Sequence, residues 1–488
     1  MEFKFIKKQT RYCFILFFTL NALEMLLELV ASRVMSPYFG TSTAVWTAII
    51  GIILLSASIG NIFGGKISEK RTVPEVLFFI LFISALFIAL IPKLSVTINP
   101  ILTTLDIRLG ALISSILLFL IPSIMISIIT PFLIKSILDK TDLIGESSGK
   151  IQAIIAIGSL FGTFIGGFFL IPKIGTAHLL YLISLILFIL MFISIPKKVE
   201  KSILISSIIF IIFTIVLMLI PVKEDLKKGV SIDTKYSRII IQDTTYNNQP
   251  VRLYKSSGAY SSGMSLKDET ELIFDYTKCY NDSFNYNPNI ENTLMIGGAA
   301  YSYPKYWISH TDKKMTVVEI DPDAEKIARK YFKLTDVINK YDKNNERLTL
   351  LTDDGRIYLN NNKIKYDAIF NDAFSGGIPV TTLATREAVQ CIYNSLTDDG
   401  IYMSNILGTA ESEFILSEMN TIKSVFPYVY IYNSNKSQEK TYNNYIVVGS
   451  KKPLKNNSFL NVDYSKGLVL TDDYAPIEKM VGDSYFNH

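Results

Sequence analysis

The sequence predicts a multi-span α-helical membrane bundle, then a small β-rich region, then an α/β domain with a doubly wound parallel sheet. Three observations carry that expectation. Only 19% of the 488 residues are charged and 49% are hydrophobic, whereas a soluble domain carries about 25% charged residues. Apolar runs long enough to span a bilayer, about 20 residues each, crowd the first 222 positions. From Lys223 onward, short apolar runs alternate with helix-like stretches, the pattern of strands joined by crossover helices.

Seven spans are expected, at 12–32, 44–65, 74–92, 109–134, 151–171, 177–195 and 203–221. The first reads as a retained span, because no small-residue cleavage site follows it and further spans do. The first 222 residues hold 17 Lys and Arg against 10 Asp and Glu, and the remainder holds 31 against 34. The net charge of +4 is therefore a basic membrane half set against a mildly acidic one, and it indicates no nucleic-acid partner. Lys4, Lys7, Lys8 and Arg11 precede the first span, and alternate loops carry Lys66, Lys70, Arg71, then Lys135, Lys140, Lys150, then Lys197, Lys198, Lys201. The positive-inside rule places the N-terminus in the cytoplasm. Seven crossings would then leave the soluble half outside the cell. Either one segment does not cross, or residues 93–108 hide another span, or the soluble half is external.

Inside the bundle, Gly60, Gly64, Gly65 and Gly158, Gly162, Gly166, Gly167 have the small-xxx-small spacing that lets helices approach closely. Glu24 and Glu28 lie one helical turn apart in the first span, with Arg33 beyond. Ionisable groups at membrane depth face the protein interior or a wet cavity. They form either a polar site for a cationic ligand or an ion pair with Arg33 that pins two helices.

Residues 223–290 form the β-rich region, with strands over Ser231–Asp243 and Val251–Tyr254, and residues 291–488 form the α/β domain. Its strands are expected at Thr293–Ile296, Met315–Ile320, Leu348–Leu351, Ala368–Phe370, Ile401–Asn405, Tyr428–Asn433 and Tyr445–Gly449. Helices follow from about Tyr303, over Asp323–Phe332 and over Thr385–Ser395. Three cysteines (Cys13, Cys279, Cys391) and three histidines (His178, His310, His488) are scattered. Neither a disulfide framework, nor a metal site, nor a Ser-His-Asp triad is indicated.

Chemistry-bearing residues fall at successive strand ends, where such sheets bind ligands. Gly297-Gly298-Ala299-Ala300 follows the first strand, and a tight small-residue turn admits close backbone approach to a nucleoside. A plain β-turn is the simpler explanation. Glu319 ends the second strand, at the spacing where an acid accepts hydrogen bonds from ribose hydroxyls; a solvated strand-end acid is its alternative. Asp354 follows the third strand, where it can meet an adenine amino group, and Asp372 ends the fourth, facing the reacting centre unless it caps a helix.

This order resembles the spermidine synthase (polyamine aminopropyltransferase) family, and more closely its membrane-fused members, in which a multi-span bundle precedes a class I methyltransferase-like Rossmann domain. The resemblance rests on Leu23-Glu24-Met25, Arg33, Pro37-Tyr38-Phe39-Gly40, the two glycine seams, Asp275-Tyr276-Thr277, Gly297-Gly298, Val318-Glu319-Ile320-Asp321, Asp372 through Gly377, and Thr471-Asp472-Asp473-Tyr474-Ala475-Pro476. It implies an SN2 displacement in which an amine takes the aminopropyl group of decarboxylated S-adenosylmethionine, with no metal. Asp372 would be the general base, Tyr276 the aromatic closing the substrate pocket, Glu319 the ribose ligand and Asp354 the adenine ligand. Tyr236 would contact substrate, and Asp472 or Asp473 would restore negative charge near it.

The sequence also departs from the family. Ala300 stands where the family's aminopropyl-binding Asp belongs, Ser375 replaces the second Asp of a DxxD, Ser237 follows Tyr236 in place of Gln, and Ser261 replaces another Gln. Each lost partner costs a bound cation roughly 1.5–3 kcal/mol. Altered amine handling is the consequence expected. Two other readings stay open, a methyltransferase using S-adenosylmethionine itself and a non-catalytic polyamine transporter or sensor built on Glu24 and Glu28. The expected setting is a multi-pass cell-membrane protein with lipid around the bundle and the soluble half in the cytoplasm. A homo-oligomer stays open.

Overall fold

A computed structural model describes residues 2–40, 42–70, 73–139, 143–194, 201–219, 226–227, 229–257, 259–375, 378–437, 439–477 and 479–481. Arg71, Lys140, Lys197, Lys198, Gly376, Gly377 and His488, all used above, lie outside the described residues. The chain divides into two compact units, Met1–Lys223 with Ile232–Arg238, and Glu224–Ser231 with Ile239–His488.

Among the described residues of the first unit, six helices are long and apolar enough to cross a membrane: Arg11–Phe39, Thr43–Ser68, Val76–Leu102, Ile107–Leu138, Ile144–Leu170 and Thr176–Ile193. The seventh expected span is helical over Lys201–Leu219, but only Ser207–Val216 stands out as a shorter apolar stretch. Residues 93–102 complete the third helix, which runs through Pro92 and Pro100, so they add no crossing. Asp106 then caps the fourth, its carboxylate accepting from the amides of Arg108 (2.9 Å) and Leu109 (3.4 Å).

Both glycine seams are close helix–helix contacts. A Cβ at Gly158, Gly162 or Gly166 would lie 2.5, 2.2 or 2.7 Å from Phe18, Ala22 or Leu26 of the first helix. Gly60 and Gly64 meet Ser127 and Ile128 at 2.6 and 2.4 Å. The expected Glu28–Arg33 pair is not formed. Arg33 donates to the Lys235 carbonyl instead, because a spacing of five residues turns its head away from the Glu24–Glu28 face.

A four-stranded sheet follows in the order β1 (Val230–Asp233), β2 (Arg238–Tyr246), β3 (Gln249–Ser256), β4 (Ala259–Ser265). The single expected run from Ser231 to Asp243 is two strands, divided where Thr234 Oγ1 accepts from the amides of Tyr236 (3.2 Å) and Ser237 (3.0 Å). Asn247 and Asn248, with φ of +47° and +62°, make the tight hairpin that pairs Tyr246 with Gln249.

The main sheet contains β5 (Asn292–Ile296), β6 (Lys314–Glu319), β7 (Leu348–Thr352), β8 (Tyr366–Asn371), β11 (Leu396–Gly408), β12 (Tyr428–Asn433) and β13 (Asn443–Ser450). The short strands β9 (Phe374–Ser375) and β10 (Ile378–Pro379) pair only with each other. The order is β12-β13-β11-β8-β5-β6-β7. Strands β7, β6, β5, β8 and β11 are parallel neighbours, and β13 runs antiparallel to both β11 and β12. This is the class I methyltransferase-like order that the resemblance implies, so the fully parallel expectation is corrected to a mixed sheet. Leu294, Met295 and Ile296 of β5, like Tyr366 and Ala368–Phe370 of β8, are buried, because helices cover both faces of these central strands. The chain leaves β5 in one direction and returns as β8 on its other side. The carboxyl ends of β5 and β8 therefore flank the topological switch point, where open α/β sheets bind ligands.

Candidate active site

Backbone contacts bring the two strand ends together. The Asp372 amide donates to the Ile296 carbonyl (2.9 Å), and the Gly297 amide donates to the Val318 carbonyl (2.9 Å). Gly297 has φ +96°, and a Cβ there would lie 2.5 Å from the Asp372 carbonyl oxygen. Conformation and space both demand glycine at this position. Gly298 has a different reason for its size. A Cβ there would press the Tyr301 ring at 2.9 Å. Ala299 and Tyr301, at φ +45° and +55°, hold uncommon left-handed conformations in this turn.

Glu319 spans the turn. Its Oε2 accepts from the amides of Gly298 (2.7 Å) and Ala299 (3.0 Å), and its Oε1 from Asp321 (3.0 Å). A ribose diol would share those oxygens. Asp321 caps the helix Pro322–Tyr331 through the Asp323 amide (3.0 Å). Asp354 caps the helix Gly355–Asn361, its Oδ1 accepting from the amides of Arg356 (2.8 Å) and Ile357 (3.0 Å). Capping, considered above for Asp372, thus falls to these two acids. No helix begins at Asp372; the chain continues into β9.

Asp372 sits among polar groups that sequence reasoning missed. Its Oδ1 accepts from Asn405 Nδ2 (2.9 Å), and Asn405 Oδ1 accepts from Asn444 Nδ2 (3.0 Å). Asn405 and Asn444 come from β11 and β13, where antiparallel pairing of Asn405 with Ile446 and of Leu407 with Asn444 makes them diagonal neighbours on one face. The Tyr276 and Tyr280 hydroxyls flank the carboxylate, and Tyr276 also donates to the Ser261 carbonyl (3.3 Å). Burial pushes the Asp372 carboxyl up to about 7, against the opposing pull of the Asn405 hydrogen bond and of the nearby Tyr280 and Tyr276 hydroxyls. Burial, reinforced by the Asp372 charge, holds both tyrosines well above their ordinary range, so they stay neutral donors. A carboxylate that titrates near neutrality beside neutral donors is suited to accept a proton.

The other expected residues fall elsewhere. Tyr236 lies in the Ile232–Arg238 segment of the first unit and is 40% exposed. Asp473 is exposed, whereas Asp472 forms a forked pair with Arg356 (Nη2 to Oδ2, 2.6 Å) and accepts from Thr385 Oγ1 (2.7 Å). The Arg356 guanidinium and Thr385 hydroxyl hold Asp472 below the usual carboxylate range. Ala300 is fully buried. Among the described residues no group of three or more His, Cys, Asp or Glu could hold a metal ion.

Residues 269–458 match the family model for the spermine/spermidine synthase domain. That segment is similar to the spermine/spermidine synthase domain. The matched segment contains Tyr276, Gly297, Gly298, Glu319, Asp354, Asp372, Asn405 and Asn444, and it excludes Tyr236, Asp472 and Asp473. A polyamine aminopropyltransferase of Bacillus cereus (strain ATCC 10987) is 28% identical over 151 residues, covering 30% of this chain and 54% of that protein. An N-terminal histidine N-methyltransferase of Emericella nidulans is 32% identical over 141 residues, covering 28% of this chain and 23% of that protein. The chain thus spans about half the length of the first of these curated relatives and about a quarter of the second. A crystal structure of a probable spermidine synthase from Corynebacterium glutamicum aligns with TM-score 0.43 and 19% identity, over 51% of this chain and 98% of that one. Within the matched segment, the switch point joins the glycine turn, Glu319 and the Asp372 cluster.

Proposed function

We propose that the protein is a membrane-anchored aminopropyltransferase that moves an aminopropyl group from decarboxylated S-adenosylmethionine to a small amine or polyamine. The observation that carries this reading is Asp372, a carboxyl near neutrality at the switch point, hydrogen-bonded by Asn405 and flanked by two neutral tyrosines. In this reading Asp372 takes the proton of the acceptor ammonium, and the freed nitrogen lone pair attacks the carbon beside the sulfonium. One C–N bond forms, one C–S bond breaks, and methylthioadenosine leaves. Glu319, Gly297, Gly298 and Asp354 would hold the nucleoside, and Tyr276 would close over the amine. Alignment of the two reactants supplies much of the rate.

A second reading, methyl transfer from S-adenosylmethionine, is favoured by one observation, the buried methyl of Ala300 in place of a carboxylate. Calorimetry on the full-length protein separates the two. Decarboxylated S-adenosylmethionine is expected to bind at least tenfold more tightly than S-adenosylmethionine. The reverse preference would favour the methyltransferase.

In this reading the soluble half lies on the cytoplasmic side with the basic N-terminus, because the nucleoside substrates are made there. We take 1–222 as the anchor, 223–290 as the entry sheet and 291–488 as the catalytic domain. Cys13 and Cys279 are buried, so Cys391 is the residue to label. A membrane-impermeant maleimide is expected to reach it only after the cells are permeabilised. Labelling in intact cells would put the domain outside.

A further inference from the structure

The first and fourth helices meet along a polar face halfway through the bundle. Ser127 Oγ lies 3.2 Å from Glu24 Oε1, and Ser115 Oγ lies 3.4 Å from Met35 Sδ. The two helices therefore run antiparallel, with successive turns paired in reverse order. Glu28, one turn beyond Glu24, comes level with Ser123, one turn before Ser127 and on the same helical face.

Ser123 differs from the serines packed next to it. Its neighbours' hydroxyls are satisfied by carbonyls: Ser56 by Ile52 (2.7 Å), Ser84 by Pro122 (3.2 Å) and Ser184 by Ala85 (2.8 Å). Ser123 is fully buried and its Oγ has no partner. Ser127 divides its single proton between the Ser123 carbonyl (2.8 Å) and Glu24, which leaves acceptor capacity on the carboxylate. Among the described residues, neither Glu24 nor Glu28 has a Lys or Arg within ion-pair distance. Two carboxylates at membrane depth without a counter-charge mark a ligand site more readily than a structural pair.

We infer that Glu24, Glu28, Ser123 and Ser127 form a second site, within the helical bundle, for the ammonium groups of a short alkyl diamine. An ammonium has three N–H donors and no acceptor, matching a carboxylate plus two hydroxyl oxygens. The two carboxylates stand about 6 Å apart along the helix, so two ammonium groups joined by a short methylene chain can meet one each. Leu23, Leu27 and Ile126, buried around them, suit the methylenes. A divalent metal is disfavoured by the shortage of ligands, because no metal-holding cluster occurs among the described residues. The site stands independently of the transfer chemistry assigned to the synthase domain.

Equilibrium dialysis of full-length protein in detergent with radiolabelled 1,4-diaminobutane tests it. Glu24→Gln and Glu28→Gln are each expected to weaken one class of sites by about tenfold or more, the loss of a charge-assisted bond. Ser123→Ala removes a hydroxyl with no role in the fold, and is expected to weaken the same class about fivefold. Asp372→Asn leaves this class intact, and Glu24→Gln leaves turnover by the synthase domain unchanged, so failure of the catalytic reading would not touch this result. Wild-type affinity in Glu24→Gln and Ser123→Ala overturns the site. Displacement by sodium as effective as displacement by butylamine overturns its assignment to ammonium.

Discussion

Asp372→Asn is expected to lower the rate of methylthioadenosine formation by about 10²–10⁴-fold, the usual worth of a positioned general base. Substrate binding should change little, because the amide keeps the shape of the carboxyl and still accepts from Asn405. In the wild type the rate should rise with pH, with a midpoint near 7, as Asp372 loses its proton. The stability effect runs the other way. Its folded value lies above the ordinary 3.8, so between about 4 and 7 the folded protein holds a proton that the unfolded chain has released. Asp372 therefore contributes stability at low pH, which is lost as pH rises through about 7. The Asn variant carries no charge to desolvate. Above pH 7 it should melt at or above the wild-type temperature while being nearly inactive. A variant both inactive and clearly less stable at pH 8 would make Asp372 a structural residue.

Gly297→Ala should have the second large effect, on fold and activity together. At φ +96° the alanine costs about 1–3 kcal/mol in backbone strain, and its Cβ would strike the Asp372 carbonyl oxygen at 2.5 Å. Relief of that contact must move either the glycine turn or Asp372, and both belong to the site. Thermal melting of the full-length protein should show a clear drop, and methylthioadenosine formation should fall below detection. Gly65→Ala is the matched control, since its Cβ would meet nothing within 4 Å and alanine favours a helix. Equal effects of the two substitutions would remove the special role of Gly297.

Much of the fold could be read in the residues because burial leaves a simple trace. Strands covered on both faces are continuous apolar runs, and Thr293–Ile296 and Ala368–Phe370 both lie inside observed strands. Pairing direction leaves no such trace, which is why antiparallel β13 was expected to be parallel. Residues 93–108 were open to hiding a further span, yet one helix runs through Pro92 and Pro100 to Leu102, so this stretch extends the third helix instead of adding another. At the site, charge was legible and neutral polarity was not. Glu319, Asp354 and Asp372 stand out as acids at strand ends, whereas Asn405, Asn444 and Tyr280 gain meaning only when β11, β13 and the segment around Tyr276 converge. The capping role of Asp354 was missed although the local pattern allows it, an Asp followed by Gly and a short helix.

The measurement that bears most directly on the central claim is turnover. Purified full-length protein is incubated with decarboxylated S-adenosylmethionine and a series of short diamines and polyamines, and methylthioadenosine is followed over time. Amine-dependent release that is abolished in Asp372→Asn is the result expected. No methylthioadenosine from any amine, from protein that binds the nucleoside, would contradict it.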